Sequence, residues 1–399
     1  MPLTPIRLLS EIKEQPALLR EILAAQPERL TRHAAIPLDK TRLIGVAEGS
    51  SRHALDIAAP FLETCIGLPF VTRGPEDLLE RQTIAQAIAP QREPRDPAAF
   101  YLFVSQSGET ASVLRAAQWL FPQAAPAPLG AAAQALSVTN HEQSSLARRF
   151  GNHVLIGAGE ERSIAATKTL TATLMTLLLW GAAVGRSLRR LTPDAYDKTL
   201  AQLAAVPDQI DALLSEAPMA ALQRFTHKLI EVNHFVLISK GPTTLILPEA
   251  GLKLTETSSN IVYTDNAESF KHGPKVILSG VNGHHPNAIY LTPTDATLAD
   301  ELYRDARSHF WRDLAGESPQ RAFEDDRVFF IRFENSPTLP TEFAAQWPIS
   351  ADRLLTLPAC GLIDSLFVSL VAFQLISYHL AALKGENPDN PTLQKAVTE

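Results

Sequence analysis

The sequence predicts an α/β protein of two doubly wound parallel sheets of the flavodoxin-like kind, with an N-terminal helical arm and a C-terminal tail. Three observations predict it. Short apolar runs bounded by turn residues alternate with stretches whose apolar residues recur at helical spacing. The alternation occurs twice, in residues 36–190 and again in 225–385. The chain of 399 residues is 45% hydrophobic and 20% charged, enough to bury the cores of two or three domains.

Residues 1–35 read as the arm. Ile6, Leu9 and Ile12 mark one apolar face, and Leu18, Leu19, Ile22 and Leu23 mark a second segment, expected to pack on the body or on a partner. Leu43–Ala47 is the first strand. Glu48-Gly49-Ser50-Ser51-Arg52-His53 turns from it into a helix through Phe61 and Leu62, with Arg52 and His53 as helix-surface residues. Phe100–Val104 is a buried strand. Ser105-Gln106-Ser107-Gly108-Glu109-Thr110 follows it, and then a helix marked by Val113, Leu114, Ala117, Leu120 and Phe121.

These two strand-to-helix turns are rich in hydroxyls. The first turn of a helix has unpaired N–H groups and the positive end of the dipole, so hydroxyls and an amide added there suit a phosphate monoester. Gly108 would let backbone approach such a ligand. The competing reading is an ordinary Ser/Thr helix cap. Two such turns in one parallel sheet favour a ligand, because ligands of these sheets bind outside the carboxyl ends of the strands.

Pro90–Pro97 and Pro122–Pro128 read as loops. His153–Ile156 is a strand. A helix is expected from about Ser163–Lys168 to Gly185, with Lys168 on its surface. Residues 191–224 read as a helical connection. The second half begins with the strand Phe235–Ser239, the turn Lys240–Thr244 and a helix from Leu245 to about Ser259. Strands at Ala288–Leu291, Val328–Ile331 and Leu354–Leu357 follow, and a long apolar helix, Ile363–Leu383, closes the half. Stretches 312–325 and 333–349 read as surface insertions, and 386–399 as a tail.

Composition excludes some classes. A net charge of −7 argues against a nucleic-acid surface built on bulk positive charge. Cys65 and Cys360 are far apart and form neither a disulfide framework nor a zinc spacing, which fits a reducing cytoplasm. The N-terminus has no signal pattern. The apolar helix around Leu170–Val184 is short and carries threonines, so it reads as a core or subunit-contact helix and not as a membrane span. His284-His285 has no ligand spacing, and neither a metal nor a cofactor is called for.

The chemistry-bearing residues of the second half are amine, carboxylate and imidazole. Lys253 and Glu256 share a helix face. By frequency such a pair reads first as a surface ion pair, and second as a carboxylate poised for proton transfer. His272, in Phe270-Lys271-His272-Gly273-Pro274, is either a general acid/base or a plain loop residue.

Six motifs in order, Glu48–Ser51, Ser105–Thr110, Ile164–Lys168, the Lys253–Glu256 helix, Lys271–Pro274 and the tail from Asn387 to Glu399, resemble the sugar isomerase (SIS) domain family. The likeness is to its double-domain members, the isomerase half of glucosamine-6-phosphate synthase and the stand-alone amino-sugar-phosphate deaminases. It covers residues from about 40 to 399.

The resemblance implies that Ser50, Ser51, Ser105, Gln106, Ser107 and Thr110 hold a sugar phosphate, and that Ile164 and Ala165 touch the sugar by their backbone. It implies that Glu256 moves a proton between C1 and C2 with Lys253 beside it. His272 would open the ring, donated by a neighbouring subunit. Lys395 would engage the open-chain sugar from a tail that closes over the site. A homodimer or higher homo-oligomer with shared sites is therefore expected.

The expected activity is conversion of a hexosamine 6-phosphate to a ketose 6-phosphate with release of ammonia, or the reverse. The alternatives are an aldose–ketose phosphate isomerase, a fructosamine-type 6-phosphate deglycase, and a non-catalytic sugar-phosphate sensor. The synthase opens with a glutamine-hydrolysing cysteine, whereas this chain opens Met1-Pro2, so it is expected not to use glutamine by itself. Glu48 stands where the synthase has an uncharged residue near the sugar and Ala166 where it has serine, which leaves the substrate open.

Overall fold

The computed structural model describes residues 7–89, 95–122, 134–279, 285–310, 327–341 and 349–389. Lys395, His284, insertion 312–325 and most of the two proline-bearing loops lie outside the described residues. The fold is α/β, with two five-stranded parallel sheets.

The chain divides into two units. One gathers Ala17–Glu161 and Ala166–Ala204, and the other gathers the chain up to Pro16, Arg162–Ala165 and the chain from Ala205 on. The division falls within helix α1 (Arg7–Thr31) and within helix α7 (Pro193–Leu214).

The first unit carries β1 (Arg42–Val46), α2 (Gly49–Ile66), β2 (Phe70–Arg73), α3 (Pro75–Ile88), β3 (Ala99–Val104), α4 (Ala111–Leu120), β4 (Ala135–Thr139), α5 (Ser145–Arg149), β5 (His153–Leu155) and α6 (Lys168–Ser187). The strand order is β2-β1-β3-β4-β5. Register places Ile44 beside Val71 on one side and beside Tyr101 on the other. β3 is buried along its whole length, which is why it reads as an unbroken apolar run. On one face Val46, Phe103, Val113, Leu146 and Phe150 form a core. On the other, α2 lies against α6, and a Cβ at Gly185 would sit 2.4 Å from the Cys65 carbonyl oxygen.

The second unit carries α8 (Glu216–Leu229), β6 (His234–Ser239), a 3-10 turn (Gly241–Ile246), α9 (Leu247–Ser258), β7 (Ile261–Asn266), α10 (Ala267–Lys271), a second 3-10 turn (Pro274–Ser279), β8 (Asn287–Leu291), α11 (Ala296–Phe310), β9 (Val328–Phe333), β10 (Leu354–Leu357) and α12 (Leu362–Leu383). Its order, β10-β9-β8-β6-β7, repeats the first sheet strand for strand when counted from β6. Val236, Phe270, Tyr290, Tyr303 and Phe330 centre its core.

Several expectations change. The arm is one continuous helix and not two segments. Pro16 has no N–H to give the Ile12 carbonyl, and the Gln15 side chain supplies that bond at 3.0 Å. β2, β4 and β7 are additional strands. β2 and β7 are sheet edges, and β7 (Ile-Val-Tyr-Thr-Asp-Asn) is mostly half-exposed and polar, while β4 carries Ser137 and Thr139. α6 begins at Lys168, the last residue of the expected start, and Lys168 is buried and not on a helix surface.

α6 and α12 are long and apolar enough to cross a membrane by length and composition alone. Their most apolar windows are 100% and 83% buried inside the fold, the pattern of core helices. Residues 168–185 are all buried within the single chain, so α6 does not offer the apolar surface for a partner that its sequence suggests.

Candidate functional site

In the first sheet the order reverses between β1 and β3, and both hydroxyl turns leave the carboxyl ends of those two strands. The structure brings them together, and the Gln106 N–H donates to Ser51 Oγ at 3.4 Å. Helix α2 starts at Gly49, so Ser50 and Ser51 stand in its first turn and not in a preceding loop.

The Ser105–Thr110 turn is knitted internally. Ser105 Oγ and Thr110 Oγ1 are 2.8 Å apart, Gly108 N–H donates to Ser105 Oγ at 3.0 Å, and Glu109 N–H donates to Ser107 Oγ at 3.1 Å. Thr110 is the N-cap of α4, yet its side chain caps nothing and turns to Ser105 instead, against the ordinary cap reading. A hydroxyl that accepts from a backbone N–H keeps its own proton to donate. Ser51 and Ser107 are in that state, so the turn presents O–H donors suited to an anion.

Gly108 has φ +67°, and a Cβ there would lie 2.2 Å from Ser144 Oγ. The glycine is thus required by its left-handed backbone and by the close approach of Ser144. Glu109 accepts from the Ser145 N–H at 2.7 Å at the start of α5. That bond is the main cause that holds its carboxyl below the ordinary value.

Ile164 and Ala165 lie between β5 and α6 in a segment without helix or strand, half-buried and buried respectively. The start of α6 is capped from a distance. Glu161 Oε1 accepts from Thr167 N–H at 2.8 Å, Thr167 Oγ1 at 3.0 Å and Thr169 N–H at 3.3 Å, and its other oxygen accepts from Thr169 Oγ1. Thr167, the formal N-cap, makes no side-chain cap bond.

In the second unit α9 carries the acid–base residues. Pro248 opens the helix, where its missing N–H costs nothing. Ser259 closes it in a left-handed conformation, and Lys384 Nζ donates to the Ser258 carbonyl at 2.7 Å. Lys253 is fully buried and donates to Glu256, with Glu249 at 3.3 Å on its other side. The surface-pair reading is therefore overturned: Glu249 and Lys253 are buried, and the Glu256 side chain at the end of the row is only 9% exposed. Burial pulls the Lys253 pKa down, but the charges of Glu249 and Glu256 outweigh it and leave the ammonium above its ordinary value.

Sequence reasoning missed Glu249. Its signal was the i, i+4, i+7 spacing of Glu249, Lys253 and Glu256 along one helix face, which exposed ion-pair helices share.

His272 caps the C-terminus of α10 and is strongly exposed, its side chain 78% accessible, with Nε2 at 3.8 Å from Glu268 Oε1. Beneath it, Lys271 pairs with Glu268 at 2.9 Å and with Asp305 at 2.5 Å, and Asp305 also holds Lys240 at 2.9 Å. The buried His309 donates from Nε2 to the Ala267 carbonyl, and its Nδ1 faces the Tyr290 hydroxyl at 3.0 Å.

Residues 87–182 match the SIS domain family. The glutamine–fructose-6-phosphate aminotransferase of Synechocystis sp. is 26% identical over 408 residues, covering 98% of this chain and 59% of that protein. The chain thus spans about three fifths of the length of the curated relatives it matches. Among solved structures, the C-terminal domain of glucosamine-fructose-6-phosphate aminotransferase from Francisella tularensis superposes with a TM-score of 0.76 at 19% identity, covering 98% and 99% of the two chains. Tagatose-6-phosphate ketose/aldose isomerase from Escherichia coli gives 0.69 at 17% identity, covering 98% and 97%. Glucosamine-6-phosphate deaminase from Thermotoga maritima gives 0.65 at 16% identity, covering 98% of each chain. These structures share its fold. The chain carries an SIS domain at residues 87–182 and is homologous to the isomerase region of the glutamine–fructose-6-phosphate aminotransferases.

Proposed function

We propose that the protein is a phosphosugar isomerase/deaminase, converting a hexosamine 6-phosphate to a ketose 6-phosphate with release of ammonia, or the reverse. The observation that carries this reading is the Glu249–Lys253–Glu256 row, buried at Glu249 and Lys253 and slightly open at Glu256. Burying Glu249 and Lys253 is costly, Glu256 beside them keeps a small opening to solvent, and charge clusters of this kind gather at functional sites.

In this reading Ser50, Ser51, Ser105, Gln106, Ser107 and Thr110 hold the phosphate, and the backbone of Ile164 and Ala165 meets the sugar. Glu256 takes the proton from one of C1 and C2 and returns it to the other. Lys253 holds the carboxylate in place and steadies the charge that develops on the enediol or enolamine oxygen. His272 opens the ring and Lys395 engages the open chain. A plain aldose–ketose isomerase uses the same proton transfer, and the likeness to the tagatose-6-phosphate isomerase keeps it as the second reading.

The experiment is Glu256→Gln, assayed over hexosamine 6-phosphates for ammonia and over ketose 6-phosphates for isomerisation. Substrate should still bind, turnover should fall about a hundredfold or more, and solvent deuterium should cease to enter at C1 or C2. Ammonia release decides deaminase against isomerase. Exchange at the unmutated rate would move the chemistry away from Glu256.

A further inference from the structure

We propose that Glu11, on the first helix, is a positioning residue that holds the 162–165 segment in the form that receives the sugar. The inference rests on the reading above that Ile164 and Ala165 meet the sugar.

Glu11 is a buried carboxylate, 4% exposed, on a helix whose sequence suggests packing alone. Both of its oxygens face one segment. Oε1 accepts from the Arg162 N–H at 2.5 Å, and Oε2 accepts from the Ser163 N–H at 3.1 Å and from the Ser163 hydroxyl. The Ser163 hydroxyl also lies 3.1 Å from the Ala165 carbonyl, so a single side chain links Glu11 to the backbone beyond Ile164.

The segment belongs to no helix or strand, so no ladder of backbone bonds fixes it. Three hydrogen bonds to one charged acceptor do so instead, and bonds to ionised groups are the strong kind. The platform beneath them is itself buried and hydrogen-bonded. Leu8 and Ile12 are buried, the Gln15 amide donates to Gln374 Oε1 on α12 at 2.8 Å, and the Asp389 carboxylate accepts from the Arg7 and Leu8 N–H groups at 2.8 Å each. The first two turns of α1 thus grip both the 162–165 segment and Asp389, the last described residue.

Glu11→Gln keeps the shape but puts an amide donor where one oxygen faced donors, so the segment should loosen. The test reads hydrogen exchange in a peptide covering 160–167, and calorimetric affinity for fructose 6-phosphate and for inorganic phosphate. Exchange should quicken at least tenfold, the sugar phosphate should bind at least fivefold more weakly, and inorganic phosphate should be held within twofold.

Ser163→Ala attacks the same contact from the segment side and serves where Glu11→Gln does not fold. It should act in the same direction, and the double variant should be no worse than Glu11→Gln alone. Unchanged exchange, additive effects, or quicker exchange with unchanged sugar-phosphate affinity would each overturn the positioning role. Unmutated protein that binds no hexose 6-phosphate would bring down the functional reading itself, a different failure visible before any variant is made.

Discussion

At the scale of single residues, the structure turns apparently ordinary side chains into committed ones. Ser105 and Thr110 share a hydrogen bond, and Ser105 also accepts from Gly108 N–H, so the pair fixes the turn that in the proposed reading holds the phosphate. Hydrogen bonds to a charged acceptor contribute about 1.5 to 3 kcal/mol each. Changing both residues to alanine should therefore weaken sugar-phosphate binding by at least tenfold in a calorimetric titration. Unchanged affinity with the fold intact would remove the turn from the site.

His309 makes a separate prediction. Burial pushes it down to about 4, and its two hydrogen bonds suit the neutral ring. The folded protein leaves it unprotonated at pH values where the unfolded chain, near 6.5, takes up a proton. Stability at this group is full above pH 6.5 and is lost as pH falls towards 4, with a total of order 3 kcal/mol. His309→Gln can donate to Ala267 and accept from Tyr290 without titrating. Urea titrations should show its stability declining less steeply than that of the unmutated protein between pH 6.5 and 4. Parallel curves would contradict the assignment.

At the scale of elements, helix ends carry much of the information that local pattern hides. α6 has a threonine at its N-cap position that makes no cap bond, and the capping falls to Glu161. An anion at a helix N-terminus is favoured by the unpaired N–H groups and by the dipole. Glu161→Ala should cost about 1 to 2 kcal/mol, by analogy with loss of an N-cap. Amides of the first turn of α6 should exchange faster, while those of β3 change only with global stability. Equal changes at both places would mean that Glu161 is not the cap. The edge strands β2 and β7 were illegible for a related reason. An edge strand faces solvent and needs no continuous apolar run, whereas β3, buried throughout, announces itself.

At the scale of the whole molecule, the proposed reading takes His272 from a neighbouring subunit, and the strong exposure of that side chain is compatible with it. Glu256→Gln and His272→Ala chains, each inactive, should then recover activity when mixed, once tagging has shown that subunits exchange. Exchange without recovery would confine the site to one chain, and so would full activity in a monomer.

The sequence by itself determined the two α/β repeats, the central strands and the hydroxyl turns after β1 and β3, because these follow from local period and turn chemistry. It put Lys253 and Glu256 on one face but could not say whether that face meets water or core. Spacing along a helix is a local property, and burial depends on what the rest of the chain lays against it. Only the tertiary structure decided that Lys253 is buried with Glu249 beside a nearly covered Glu256, that Lys168 is interior, that Glu11 holds a segment distant in sequence, and that Glu161, not Thr167, caps α6. A carboxylate finds its donors through space, and nothing in its neighbours along the chain records which donors those will be.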